Sequence, residues 1–250
     1  MMSKDIQIRE CATVDELAAC VQLQRDVFAL PDLEISPVRH LIVTKNAGGF
    51  TLGAFVDDDL VGFVLSVPAF LRGNRAFYSH MTAVRQDFQG HGIGAKLKWA
   101  QRERALAEGV KYLKWTFEPV KARNAYFNLE KLGAIVRDYA ANFYGTDYST
   151  AAESGEKLGL ASDRLFAEWD MESEKVTALA TGNDFVECRQ IVREIVIPTD
   201  WYGLVKADPK GAVTEQVRIK YEFEDAFSNG LIAGGFERDA AAPKYLLYEE

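Results

Sequence analysis

Apolar and polar positions alternate along this chain with two periods, and the switches between them mark its elements. Residues 6–9 alternate and predict a first strand. Thr13 followed by Glu16 forms a capping box and starts a helix running to about Phe28, with Leu17, Val21 and Val27 on its apolar face. Ser36-Pro37 predicts a second helix with proline at its first position, and Gly48-Gly49 breaks the chain. Three apolar runs follow at 50–56, 60–70 and 77–84. Asp57-Asp58-Asp59 separates the first two, a turn-length gap that predicts an antiparallel hairpin. These aspartates read as hairpin solvation rather than as a metal site. A helix is expected over 92–108, with Ile93, Leu97, Ala100 and Ala107 at helical spacing and Gly109 ending it. A strand at 112–117, a helix at 123–132 closed by Gly133, and a strand at 134–138 follow.

The pattern predicts an α/β (α+β) chain with a mixed sheet and helices on both faces. Beyond it, strand-like runs stand at 164–169, 185–197, 231–238 and 245–248, with a helix at 210–229 stopped by Gly230. The chain is therefore expected to divide into a first domain, 1–150, and a C-terminal α/β extension, 151–250. That extension serves either packing and dimerisation or as a wall over a ligand pocket.

Composition narrows the partners. Hydrophobic residues make up 48% of the 250, enough for a sizeable core. The formal net charge of -8 argues against nucleic acid as the main ligand. A local basic patch remains available at Lys96, Lys98, Arg102 and Arg104, although the last two read as a solvated helix face. Cys11, Cys20 and Cys188 show neither a disulfide framework nor a zinc spacing. The first residues do not read as a signal peptide, and no apolar run reaches membrane-spanning length. A soluble cytoplasmic protein, with no membrane partner, is the expectation.

The most chemical stretch is Val84-Arg85-Gln86-Asp87-Phe88-Gln89-Gly90-His91-Gly92-Ile93-Gly94-Ala95. It joins a strand to a helix, so its backbone N–H groups and the helix dipole form an anion site. A P-loop would need a hydroxyl residue after the lysine, and Lys96-Leu97 lacks it. The glycines at 90, 92 and 94 miss the dinucleotide spacing. The stretch resembles motif A of the GNAT superfamily, the acyl-CoA-dependent N-acyltransferases, whose Gln/Arg-x-x-Gly-x-Gly/Ala pattern falls here on Gln89, Gly92 and Gly94. The resemblance covers about 6–148 and implies the GNAT fold, with a mixed, mostly antiparallel central sheet. It implies acetyl-CoA or another acyl-CoA as cosubstrate, with its pyrophosphate on the N–H groups of Gln89, Gly90, His91, Gly92, Ile93, Gly94 and Ala95. It also implies pantetheine pairing along Met81, Thr82, Ala83 and Val84, an oxyanion donor near Val84, and further contacts from Asn124 and Phe127.

Acyl transfer to an amine needs a base, because the amine is protonated at neutral pH. Many family members carry a glutamate where this chain has Tyr78. His80, two residues on and expected on the same strand face as Tyr78 and Thr82, is one candidate base. Glu118, at the end of the next strand, is the other. The family's usual tyrosine acid falls on Leu129 and is absent; Tyr126 lies one turn earlier and reads more readily as helix core. The family's asparagine would fall on Ala122, whereas the chain has Asn124. These departures, with Trp115-Thr116-Phe117-Glu118-Pro119 and Ser162-Asp163-Arg164-Leu165, resemble a sparsely characterised GNAT subgroup with a C-terminal extension, some of whose relatives N-acylate amino acids. Arg123 and Arg164 are then candidates to hold a carboxylate of the acceptor or of a succinyl donor; a structural salt bridge is the plainer role for each, above all for Arg164 beside Asp163. The reading is an acetyl- or succinyl-CoA-dependent N-acyltransferase of a small-molecule amine, working by direct attack on the thioester, with a homodimer possible. Its rivals are a protein N-acetyltransferase and a non-catalytic acyl-CoA sensor.

Overall fold

The structure is a computed structural model and describes residues 6–28, 31–147 and 159–250. The expected domain division at 150 falls within 148–158, outside the described residues. The chain forms two compact units: Met1–Lys114 with Asp170–Glu172, and Trp115–Trp169 with Ser173–Glu250.

In the first unit, β1 (Gln7–Glu10), β2 (Phe50–Val56), β3 (Asp59–Leu71) and β4 (Asn74–Val84) pair antiparallel in that order. The start of β5 (Tyr112–Phe117) then adds in parallel. The β2–β3 turn is Asp57-Asp58 at φ 50° and 65°, the left-handed pair that a two-residue hairpin requires. Two helices cover one face of this sheet. The first, α1 (Val14–Phe28), opens with the expected capping box: the Thr13 N–H donates to Glu16 Oε2 at 3.0 Å, and the Glu16 N–H to Thr13 Oγ1 at 3.2 Å. The second, α2 (Val38–Asn46), has Pro37 as its extended N-cap residue rather than as its first helical one. Leu17, Cys20, Leu41, Phe63, Leu65 and Ala83 form the core beneath them. Cys11 and Cys20, distant in sequence, meet there as free thiols with their sulfurs 3.8 Å apart.

The other face takes α3 (Ile93–Ala107). A side chain at Gly62 would meet Ala83 O at 3.0 Å and Leu97 Cδ1 at 3.3 Å, so glycine there lets the helix sit close to the sheet. The buried face of α3 is Ile93, Leu97, Lys98, Gln101 and Ala105, and Ala107 is exposed. The apolar pattern placed this face differently because two polar residues belong to it. They are tolerated because they are bonded: Lys98 Nζ donates to Ser79 Oγ at 2.9 Å and to Gln101 Oε1 at 3.1 Å, and Gln101 Nε2 donates to Ser66 Oγ at 2.7 Å.

In the second unit, α4 (Ala122–Tyr126) runs directly into a wide π turn, Phe127–Lys131, and then β6 (Ile135–Ala140). A short pair, β7 (Thr146–Asp147) with β8 (Leu160–Ala161), precedes β9 (Arg164–Asp170) and α5 (Glu174–Ala180). The chain ends with β10 (Arg193–Val196), α6 (Trp201–Ala207), α7 (Pro209–Ser228), β11 (Leu231–Glu237) and β12 (Lys244–Glu249). The strand order here is β9-β6-β11-β12-β10. Of the run expected at 185–197 only residues 193–196 pair as a strand; α5 and α6 had no periodic signal of sufficient length. Tyr245 anchors the core, with the rings of Phe223 and Phe236 each 5.0 Å away and its hydroxyl donating to Pro119 O at 2.7 Å.

Candidate active site

The glycine-rich stretch forms the link between β4 and α3. Arg85 pins its start by ion pairs to Asp59 at 2.6 Å and Asp87 at 2.8 Å. A single 3-10 turn over Gln86–Phe88 follows, and Gln89 turns its side-chain amide inward, donating to Val84 O at 2.9 Å. Gly90 and Gly92 take φ 82° and 76°, a region costly for other residues, and Gly92 is the N-cap of α3. The first helical bond runs from the Lys96 N–H to Gly92 O at 3.0 Å, so the N–H groups of Ile93, Gly94 and Ala95 precede the ladder. A Cβ added at Gly90, Gly92 or Gly94 would meet no atom within 4 Å. The glycines therefore do not serve internal packing; they leave bare backbone at a positive helix end, which fits a phosphate-bearing ligand. Gln89, Gly90, His91 and Gly92 are exposed, whereas the Ile93 side chain is buried and offers only its backbone.

Of the four basic residues expected to flank this loop, Lys96 alone is exposed. Lys98 points into the sheet, where burial holds its pKa well below the ordinary lysine value. Arg102 donates to Met171 O at 2.9 Å, and Arg104 pairs with Glu108 and Glu10.

His80 lies on β4 at a bulge. Ser66 pairs with Ser79 and Leu65 with Met81, so His80 is the extra residue. The bulge shifts the side-chain phase. His80 stays beside Tyr78, ring centroids 6.5 Å apart, but Thr82 pairs with Val64 on the opposite face from Met81. The expected alignment of His80 with Thr82 is thus corrected, because alternation holds only where register is continuous. His80 is exposed to solvent, yet crowding by the surrounding protein, then the neighbouring His40 of α2, pushes its pKa down. His40 stands edge-on at 6.2 Å. Sequence reasoning missed His40, since nothing in its local pattern announces a partner forty residues away.

β4 is eleven residues long, yet its parallel register with β5 covers only Ala76↔Tyr112, Phe77↔Leu113 and Tyr78↔Lys114. Met81, Thr82, Ala83 and Val84 lie beyond that register.

The second unit holds the other candidates. Glu118 is ion-paired with Lys121. Half-burial works against the Lys121 charge, but Glu118 and Tyr202 raise its pKa overall and keep it charged. Asn124 and Phe127 are half-buried on α4 and the π turn, and Leu129 is fully buried. Tyr126 lies between two cations, Arg238 at 4.8 Å and Lys131 at 5.4 Å. Arg123 is exposed. Arg164 makes no ion pair with Asp163; it donates to the Asp163 carbonyl at 2.9 Å and stacks 5.1 Å from the Tyr144 ring. The Asp163 carboxylate instead accepts from Tyr139 Oη at 2.7 Å and the Asn142 N–H at 2.8 Å.

The family model for the acetyltransferase (GNAT) family matches residues 17–134, which contain both the loop and His80. That match spans just under half of the chain and places residues 17–134 within the pattern of this family. The matched family is one of acetyltransferases. Solved structures share the fold. A candidate acetyltransferase from Acinetobacter baylyi ADP1 aligns at 16% identity and TM-score 0.52, over 68% of this chain and 94% of that one. An N-acetyltransferase from Staphylococcus aureus Mu50 aligns at 15% identity and TM-score 0.51, over 67% and 99%. A GNAT-family candidate from Desulfovibrio desulfuricans aligns at 16% and 0.51, over 66% and 99%. No curated protein matches the chain. No helix among the described residues is long and apolar enough to cross a membrane.

Proposed function

We propose that this chain is a GNAT enzyme that transfers an acyl group, acetyl or succinyl, to the amine of a small molecule bearing a carboxylate, an amino acid being the simplest case. Acetyl-CoA supplies an activated thioester. The N–H groups of residues 89–95 receive the pyrophosphate, and the unregistered edge of β4 at 81–84 receives the amide-bearing arm. His80 takes the proton from the acceptor ammonium, and the Val84 N–H faces the developing oxyanion. In the second unit, Asn124 and Phe127 are the candidates that the family resemblance offers for the arm, and Arg123 and Arg164 are the candidate holders of the carboxylate.

The observation that carries the assignment of the base is His80 at the bulge, solvent-accessible and biased toward its neutral form on the same strand that ends in the glycine loop. Glu118 is the weaker candidate, since Lys121 already holds its carboxylate. Replacing His80 by alanine is expected to lower kcat by about 10²-fold or more while CoA affinity stays unchanged. Glu118→Gln is expected to change kcat far less. Equal kcat in wild type and His80→Ala would refute the role given to His80.

A further inference from the structure

Helix α7 buries Ala212, Gln216, Ile219, Phe223 and Ala226. Its opposite face carries Val213, Val217 and Tyr221, which are 43%, 45% and 63% exposed. Isolated apolar side chains are ordinary on a surface, but three at four-residue spacing form a ridge of the kind that packs against another helix. Charges bracket the ridge. Lys210 precedes Val217 by seven residues and Glu224 follows it by seven, and that spacing keeps all three nearly in line along the helix. Both Lys210 and Glu224 are exposed, and the contact of Glu224 with Lys220 is a long 3.9 Å.

This face is symmetric about Val217. Val213 and Tyr221 stand equally far on either side of it, and Lys210 and Glu224 stand equally far beyond, with opposite charge. Run antiparallel, such a face is complementary to itself; run parallel, it would set lysine on lysine. We propose that two copies of the chain associate through α7 about a two-fold axis at Val217. Val217 then meets the partner subunit's Val217, Val213 meets the partner subunit's Tyr221, and Lys210 meets the partner subunit's Glu224. This is an isologous interface, with an apolar centre and a charged rim that fixes direction.

Sedimentation velocity over a micromolar concentration series tests it. The wild-type chain is expected to be a dimer, and Val217→Lys, which sets like charges on the axis, a monomer. Lys210→Glu and Glu224→Lys are each expected to weaken the dimer by about tenfold, and the double exchange to restore it. All three substitutions lie on the exposed face, so unchanged Tm and CoA affinity verify that each variant is folded. A wild-type chain monomeric at every concentration, a dimer indifferent to Val217→Lys, or a double exchange that fails to restore association would each overturn the proposal.

Discussion

Gly92→Ala separates the conformational role of the loop from its ligand role. Gly92 has φ 76°, and a Cβ there would meet nothing within 4 Å. The cost to the fold is therefore the backbone penalty alone, about 1 kcal/mol for an L-residue in the left-handed region. That corresponds to a fall in Tm of about 2–4 °C for a chain of this size. Gly73, in the β3–β4 turn, provides the control: φ 81° and again nothing within 4 Å of an added Cβ. Gly73→Ala carries the same strain at a site to which no ligand role is assigned. The two differ in what the backbone presents. Moving Gly92 out of its conformation re-aims the N–H groups of Ile93, Gly94 and Ala95. One lost charge-assisted hydrogen bond is worth about 1.5–3 kcal/mol, or roughly 10–100-fold in Kd. Thermal melting and calorimetric titration with CoA read the two quantities separately. The expected result is a similar Tm loss in both variants and a weakened CoA affinity in Gly92→Ala alone. Equal CoA affinity in the two variants would refute the placement of the pyrophosphate.

Two further outcomes follow from the charged groups. Because crowding and His40 depress the His80 pKa, the acid limb of kcat/KM is expected below the ordinary imidazole value of 6.5, and His40→Gln should move that limb upward by removing the neighbouring imidazole; a limb unmoved by the change would separate His40 from the base. Lys98 is held below the ordinary lysine value by burial, so between its depressed folded pKa and 10.5 the unfolded chain binds more protons and stability rises with pH; Lys98→Met should lose that slope in urea unfolding measured across alkaline pH, and identical slopes would contradict the burial account.

Local chemistry was legible in the sequence. The Thr13–Glu16 capping box, the Asp57-Asp58 hairpin and the glycine loop each depend on residues a few positions apart, and each forms as its pattern predicts. Features set by pairing between distant segments were not legible. The bulge at His80 exists only because β3 and β4 slip register between Leu65 and Ser66, and that slip separates Thr82 from His80. Lys98 looked like a loop cation because its partner Ser79 comes from another element. Cys11 and Cys20 looked unrelated until α1 folded over the end of β1. The π turn at Phe127–Lys131 replaced the last turn of an expected regular helix, and its sequence carries no glycine or proline to announce it.

The central claim is acyl transfer from CoA to a small carboxylate-bearing amine. Its most direct test is release of free CoA thiol from acetyl-CoA and succinyl-CoA, measured against a panel of amino acids and simple amines without carboxylates. The account predicts turnover with at least one amino acid and faster release than with the matching simple amine. Tight CoA binding with no thiol release across the panel, or release that ignores the carboxylate, would contradict it.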